Sequence, residues 1–373
     1  MYSIDELRDY INRRQSSDYN GLNYNPLVIN KPNISQESKY SAFNELKDEK
    51  GNPLKDPIVT ETIGGTIDYI KQCGYKEGLE GGSSEDHLKY HQEVFDKFYM
   101  LNGRYPKTIA EIGFNAGVST DNFLRLLRDH NNDDDYIMVS FDLMKHPYCF
   151  YAKKYIDAKY PFKHLLIAGS SQSEIPTFSR ISSTTFDLIF IDGDHTVGGC
   201  YQDIINCQLL SHANTILIMD NTAPHRGVGL GVYLAILYAI SNGILIHLEH
   251  KEFDVPKEEY HDGTSLCIYN TDGINYDIYK QVFPEIGIVN YEKVERKVID
   301  YTINNIMKNA SPEELRQLGE YMKYTNSDYV KTNYNRKLSS LNKPPPPKYT
   351  SNQYIPKSSH IIKPKSPVII PPT

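Results

Sequence analysis

The chain has 373 residues, 39% hydrophobic and 23% charged, with a formal net charge of −7 at pH 7. That length supports one α/β core with about a hundred residues to spare, and the acidic balance argues against a general nucleic-acid binder, which needs a basic surface. The five cysteines, Cys73, Cys149, Cys200, Cys207 and Cys267, are odd in number and lack CxxC spacing, which fits buried thiols in a reducing compartment better than disulfides or a zinc site.

The first residues, Met1 to Asp9, contain no basic run leading into an apolar one, so no secretory signal is expected and the chain reads as cytoplasmic (intracellular). Ser3 begins a capped amphipathic helix with Ile4, Leu7 and Ile11 on one face. Residues from about 15 to 57 are polar, rich in Asn and Ser, and broken by Pro26, Pro32 and Pro53, so they are expected to be loosely structured. A short helix is predicted over 63–73, and Ser83 or Ser84 starts a stronger one reaching about Leu101. Residues 1–84 thus form a partly disordered N-terminal extension. On the stronger helix, His87, Tyr90 and His91 need no role beyond that of exposed polar residues on an amphipathic face.

From Thr108 the pattern becomes regular. Thr108 to Ile112 is a β-branched strand, Gly113, Ala116 and Gly117 follow at once, and Ser119 to Leu127 has helical spacing. A strand, a glycine turn and a helix in that order bring backbone N–H groups up to a ligand at the helix N-terminus. The dinucleotide fingerprint is excluded, because its third glycine is missing and the acidic residue, Glu111, precedes the turn. Further strands are predicted at 136–141, 164–168, 186–191 and 215–219, ending at Asp142, Gly169 to Gln172, Asp192 and Asp220, with helices around 148–159, 174–181 and 197–210. This alternation is the signature of a Rossmann-like, doubly wound α/β fold, a mostly parallel sheet with helices on both faces. Ligands bind such sheets beyond the carboxyl ends of the strands, so these strand ends should converge on one crevice.

Gly227 to Leu248 carries no charged residue, but Ser241-Asn242-Gly243 interrupts it, and we read a buried helix followed by a strand, not a membrane span. After Asn270 the pattern weakens. Residues 273–340 read as a helical appendage, with a capping box at Ser311-Pro312-Glu313-Glu314. Residues 341–373 form a disordered Pro/Lys-rich tail that would act as a linker or as the ligand of a proline-binding partner.

The chemistry-bearing cluster is Asp192-Gly193-Asp194-His195 together with Asp220-Asn221 at the next strand end. Asp192, Asp220 and Asn221 offer hard oxygen ligands from adjacent strands, a set that suits Mg²⁺ with open positions and does not suit zinc. Such an ion would bind an acceptor hydroxyl and lower its pKa. His195, three residues past the first ligand, would then be the general base. Asp194 either orients His195 or faces solvent, and solvent is the favoured reading.

Glu111-x-Gly113-x-x-x-Gly117 resembles motif I of class I S-adenosylmethionine (SAM)-dependent methyltransferases. The set Asp192, His195, Asp220 and Asn221 resembles the divalent-metal-dependent O-methyltransferases of the catechol type. It is also similar to bacterial sugar and macrolide O-methyltransferases with an Asp-x-x-His element, so that the resemblance covers about residues 85–270. It implies a methyltransferase domain over 85–272 that uses SAM and a divalent cation. Glu111, Gly113, Asn115, Gly117 and Ser119 would surround the methionine portion of SAM. Asp142 would accept the ribose hydroxyls, Ser171 and Gln172 would bound the adenine, and Asp192 would border cofactor and metal alike. The metal ligands would be Asp192, Asp220 and Asn221, with His195 in the place of the catechol enzymes' lysine. Elements before motif I would cover the cofactor, which gives His87, Tyr90 and His91 a second reading as pocket residues. The acceptor, a small molecule or sugar, would also meet loops after Asn221 and around 257–263, and an acidic one would reach His225 and Arg226. A homo-oligomer stays open. The rivals are a metal-independent methyltransferase of a macromolecule and a catalytically degenerate scaffold. The first is weakened for base amines by the absence of an Asn/Asp-Pro-Pro-aromatic motif.

Overall fold

A computed structural model of the chain describes residues 56–75, 79, 81, 84–131, 135–223, 229–253, 263–284, 286, 312–324 and 328–341. The expected helix from Ser3, the loop up to residue 55, His225 and Arg226, residues 257–262, Ser311 and the tail after 341 lie outside the described residues.

Among the described residues two helices precede the sheet, the short α1 (Gly65–Gln72) and the longer α2 (Glu85–Asn102). Ser84 caps α2, its Oγ accepting the His87 N–H at 3.2 Å, and Glu85 and Asp86 in the first turn complement the helix dipole. The alternating core follows as β1 (Thr108–Ile112), α3 (Val118–His130), β2 (Ile137–Asp142), α4 (Tyr148–Lys159), β3 (His164–Ala168), α5 (Ser171–Ile181), β4 (Phe186–Ile191), α6 (Val197–Cys207) and β5 (Ser211–Met219). Then come α7 (Gly229–Ser241), β6 (Leu245–Glu252), β7 (Gly263–Tyr269), α8 (Tyr276–Val282), α9 (Pro312–Tyr324) and α10 (Asp328–Leu341).

The strands form one seven-stranded sheet in the order β3-β2-β1-β4-β5-β7-β6. β1 to β5 pair in parallel, and β7 runs antiparallel between β5 and β6. Buried on both faces, the central strands are mostly apolar, as parallel strands are, with Glu111, Ser140 and Asp187 as buried polar exceptions. Ile109, Met138, Leu166, Leu188 and Ile216 belong to a cluster with α1 to α4 and α8, while Ala110, Val139, Ile167, Ile189 and Leu217 belong to one with α5, α6, α7 and α9. The doubly wound arrangement expected from the sequence is therefore present. The apolar segment after Gly227 is the buried α7 and the strand β6, and among the described residues no helix is long and apolar enough to cross a membrane. All five cysteines are buried and free.

One strand, β7, and the packing of one expected helix, α9, were not legible in advance. β7 reads Gly-Thr-Ser-Leu-Cys-Ile-Tyr and is buried at every position, so it lacks the alternation that marks a half-exposed strand. α9 lies within the stretch expected to be an appendage, yet its Leu318, Tyr321 and Met322 are buried in the same cluster as Leu230, Leu234 and Ala235 of α7. Each such side chain contributes about 1.5–3 kcal/mol on burial, which ties α9 to the core.

At the amino-terminal end of β4, away from the carboxyl ends of the parallel strands, Asp187 is 3% exposed. It accepts a bidentate pair from Arg104 at 2.9 and 2.6 Å, the Lys107 N–H at 2.7 Å and His212 Nε2 at 3.1 Å. Burial alone would push its carboxyl up, but these donors hold it well below the usual carboxylate range. A depressed carboxyl contributes stability that is present above its unfolded pKa and lost as pH falls toward its folded value. Asp187→Ala should therefore lower the unfolding free energy at pH 7 by about 2–4 kcal/mol. Urea melts at several pH values should show that this deficit shrinks once the pH drops below about 4.

Candidate active site

Backbone hydrogen bonds align the carboxyl ends of five strands. Gly169 N donates to Asp142 O, Gly113 N to Phe141 O, Asp192 N to Ile112 O and Asp220 N to Ile191 O, at 2.8 to 3.0 Å. β3, β2, β1, β4 and β5 are thereby joined just where the strand-end residues singled out in the sequence emerge, and these ends converge as expected. Gly113 makes this possible. It has φ +98°, and a Cβ there would lie 2.1 Å from the Asp192 carbonyl oxygen, so any larger residue would push β1 and β4 apart. Gly117, with φ +72°, starts α3, and Asn115 also adopts a left-handed conformation, its Oδ1 accepting Tyr148 Oη–H at 2.8 Å.

Asp142, half-buried at the end of β2, is tied to this turn. Its Oδ2 accepts the N–H groups of Phe114 and Asn115 at 2.9 and 3.0 Å, and its Oδ1 accepts that of Met144. Glu111 and Ser119, expected near the charged ends of a ligand, bind each other. Ser119 Oγ donates to Glu111 at 2.6 Å, and Thr120 and Ser140 add two further hydroxyl donors. Burial pushes the Glu111 carboxyl up to about 7 against the pull of these hydroxyls. Ser171 and Gln172 form the first turn of α5. Ser171 Oγ donates to Asp203 Oδ1 at 2.6 Å, while Gln172 is exposed.

Asp192, His195, Asp220 and Asn221 lie together. His195 Nε2 lies 3.1 Å from Asp192 Oδ1, and Asn221 Nδ2 bridges the two carboxylates, 2.9 Å from Asp192 Oδ1 and 3.1 Å from Asp220 Oδ2. Burial and the neighbouring Asp220 push the Asp192 carboxyl up to about 6. Burial would also raise Asp220, but His87 outweighs it and holds this carboxyl below its ordinary value. For His195 burial pulls downward, and the Asp192 carboxylate overcomes it to raise the imidazole pKa. Asp194 is exposed and accepts the Thr196 N–H at 2.8 Å, a turn contact before α6. No group of three His, Cys, Asp or Glu side chains suited to a metal ion occurs among the described residues. The expected ligand set contains only two such side chains and an asparagine.

The exposed reading of His87, Tyr90 and His91 is overturned: they are 1%, 0% and 0% exposed. The inward face of α2 packs among Phe123, Phe190 and Phe253, with the His91 ring stacked on Phe123 at 4.2 Å and His87 against Phe253 at 5.3 Å. Tyr90 Oη donates to Glu249 at 2.8 Å. His87 Nε2 reaches Asp220 Oδ1 at 3.1 Å, and Thr264 of β7 lies 3.1 Å from the same nitrogen. Neither His87 nor Thr264 was tied to Asp220 by its spacing in sequence.

Residues 110–222 match a family model described as a methyltransferase domain. The match runs from β1 through Asp220-Asn221, across all the strand ends just described. No curated protein matches the chain. Among solved structures, the chain is similar to an O-methyltransferase from Bacillus cereus in complex with SAH, at 16% identity and TM-score 0.44, over 57% of this chain and 94% of that one. The O-methyltransferase TomG from Streptomyces achromogenes, in complex with SAM, gives 16% identity and TM-score 0.42, over 64% of this chain and all (100%) of the other. CalS11, a TDP-rhamnose 3′-O-methyltransferase of calicheamicin biosynthesis, gives 14% identity and TM-score 0.37, over 65% and 99%.

The Glu111 network has a pH signature. Its carboxyl stays protonated in the folded protein up to about 7 but ionises near 4.3 when unfolded. The unfolded state therefore binds fewer protons in that window, and this group's contribution to stability falls as pH rises. Glu111→Gln removes that term. The stability of the variant relative to the natural protein should improve by on the order of 2 kcal/mol between pH 4.5 and pH 7.5, as read from urea melts at both pH values.

Proposed function

We propose, on the premise that the protein is a class I methyltransferase, that it transfers the methyl group of SAM to a hydroxyl of a small molecule or sugar. In this reading a divalent cation, Mg²⁺, is held by Asp192, Asp220 and Asn221, and His195 is the general base. The observation that carries the proposal is the junction of the glycine turn with the Asp192-His195 and Asp220-Asn221 pairs at adjacent strand ends.

The residues present fit both groups. Around the turn, a Cβ at Gly113 would strike backbone, and Asp142 is fixed by backbone N–H groups, with lone pairs left to accept ribose hydroxyls. Gly117, Asn115, Ser171 and Gln172 border the same crevice, and Glu111 with Ser119 supports its floor. At the neighbouring strand ends, two carboxylates and one amide oxygen form the all-oxygen set that Mg²⁺ prefers, once the Asn221 amide turns its Oδ1 inward. When bound, SAM supplies an electrophilic methyl group and Mg²⁺ supplies Lewis acidity at the acceptor oxygen.

The protein's own work is then proton removal and alignment. With His195 Nε2–H donated to Asp192, Nδ1 carries the lone pair that takes the acceptor's proton. Asp192 fixes the tautomer and the ring plane, and its charge stabilises the imidazolium that forms. The strand-end hydrogen bonds hold acceptor, base and cofactor sites in a fixed relation, which is where most of the acceleration in an in-line transfer originates. The neighbouring enzyme described as acting on TDP-rhamnose agrees with a sugar hydroxyl as one acceptor class.

A metal-independent transfer is the second reading, favoured by one observation: Asn221 Nδ2 already bridges both carboxylates. Calorimetric titration of SAM should give micromolar binding, weakened about 10-fold or more in Asp142→Ala, since hydrogen bonds to a charged group contribute about 1.5–3 kcal/mol. Absence of SAM binding would replace the proposal with a scaffold role. Turnover on a panel of catechols and sugars should stop in EDTA and return with Mg²⁺, whereas EDTA-resistant turnover selects the metal-independent reading. His195→Ala should lower kcat by about 10²–10⁴ with SAM affinity unchanged.

A further inference from the structure

The proposed function leaves one buried polar group at the site without a task. His87 lies on α2, before the residues that match the methyltransferase domain, yet its Nε2 touches the carboxylate at the end of β5. The ring is held from several sides. The His87 backbone N–H donates to Ser84 Oγ at 3.2 Å, which fixes the residue at the helix start, and the faces and edges of the ring meet Phe253 at 5.3 Å and His91 at 4.9 Å between centroids. His91 is fixed in turn through Asn122 Nδ2, 3.1 Å from its Nδ1, and by stacking on Phe123. Thr264 Oγ lies 3.1 Å from His87 Nε2 and 3.4 Å from Asp220 Oδ1, closing a triangle with the carboxylate.

The two Asp220 oxygens therefore have different partners. Oδ1 faces His87 and Thr264, and Oδ2 faces Asn221 on the side of Asp192. A carboxylate with one oxygen anchored by a rigid donor cannot rotate about its Cβ–Cγ bond without breaking that hydrogen bond, so the other oxygen is presented in a fixed direction. With His87 only 1% and Asp220 only 6% exposed, bulk water has little access to replace this donor.

We propose that His87 is a positioning residue: by anchoring Asp220 Oδ1 it fixes Asp220 Oδ2 toward Asn221 and Asp192 as a preset ligand for the divalent cation. This rests on the metal-dependent reading above. It also gives the helix that precedes the domain a part in metal affinity, through one hydrogen bond across 133 positions of sequence (Asp220 minus His87).

The test uses the full-length protein saturated with SAM and titrated calorimetrically with MgCl₂, and separately with MnCl₂, so that the readout is cation affinity and not turnover. His87→Leu removes the donor. His87→Asn keeps a polar side chain too short to reach Asp220, and covers the case in which the leucine variant fails to fold. His87→Gln places an amide N–H at nearly the reach of Nε2. The Leu and Asn variants should bind the cation about 10–100-fold more weakly, as loss of an outer partner of a ligand does, while SAM affinity stays within about twofold and His87→Gln stays within about threefold of the natural protein. Equal cation affinity in the natural protein and in a folded Leu or Asn variant would overturn the positioning role and leave the metal-dependent reading standing. If the natural protein binds neither cation, both fall together. A parallel loss of SAM affinity would show a general loosening of the crevice and would also overturn the role.

Discussion

The contact between the Gly113 turn and the backbone of Asp192 is the constraint on which the crevice depends. Two parallel strands can end side by side and still splay their loops apart. Here the missing Cβ at Gly113 lets the turn after β1 rest against the carbonyl of Asp192, where any side chain would come within 2.1 Å. The hydrogen bonds from Gly113 to Phe141 and from Asp192 to Ile112 extend that contact in both directions. The ligand end of the sheet is thus set by backbone geometry, and side chains with cofactor, metal and proton-transfer assignments are mounted on a rigid row.

A second pattern is how much polarity lies under that row. Glu111, Ser140, His164, His87, His91, Asp203 and Asp220 are buried or nearly so, and each buried polar group costs free energy unless it is bonded. Most are bonded to neighbours in the same layer: Ser140 Oγ links Glu111 to His164 Nε2 at 2.8 Å, and Ser171 serves Asp203. The two histidines with strongly lowered pKa values, His91 and His164, are kept neutral chiefly by burial, so they add hydrogen bonds without adding charge. The result is a floor specified by directional bonds in a region where apolar packing alone would allow sliding.

Much of this was legible in the sequence because the signals were local. The strands from Thr108 to Met219 announced themselves by β-branched runs ending in Gly or Asp, and the parallel sheet rule turned their ends into a single crevice. Asp192, His195, Asp220 and Asn221 sit within a few residues of those ends, so their meeting followed from topology. The contacts of His87 and Thr264 and the packing of α9 were hidden for the opposite reason. Their partners lie far away in sequence, and nothing in Glu85-Asp86-His87-Leu88 distinguishes a surface histidine from one aimed at Asp220. Glu111 and Ser119, expected to face a ligand, bind each other, and Thr120 and Ser140 also donate to the same carboxyl group.

The position of α9 carries a consequence for how the chain acquires its structure. Its buried Leu318, Tyr321 and Met322 cover α7, and Gly231 of α7 lies so close to the carbonyl of His195 that a Cβ would come within 2.1 Å of it, with Gln317 Oε1 3.0 Å from the same point. The floor beneath the His195 loop is therefore completed by residues about a hundred positions downstream. On a ribosome, all strands of the sheet will have emerged while the apolar surface of α7 still awaits α9. That interval, set by elongation at about 5–20 residues per second, is when the nascent chain exposes its stickiest face, and it places the greatest demand for chaperone protection late in synthesis, after the domain itself has been made.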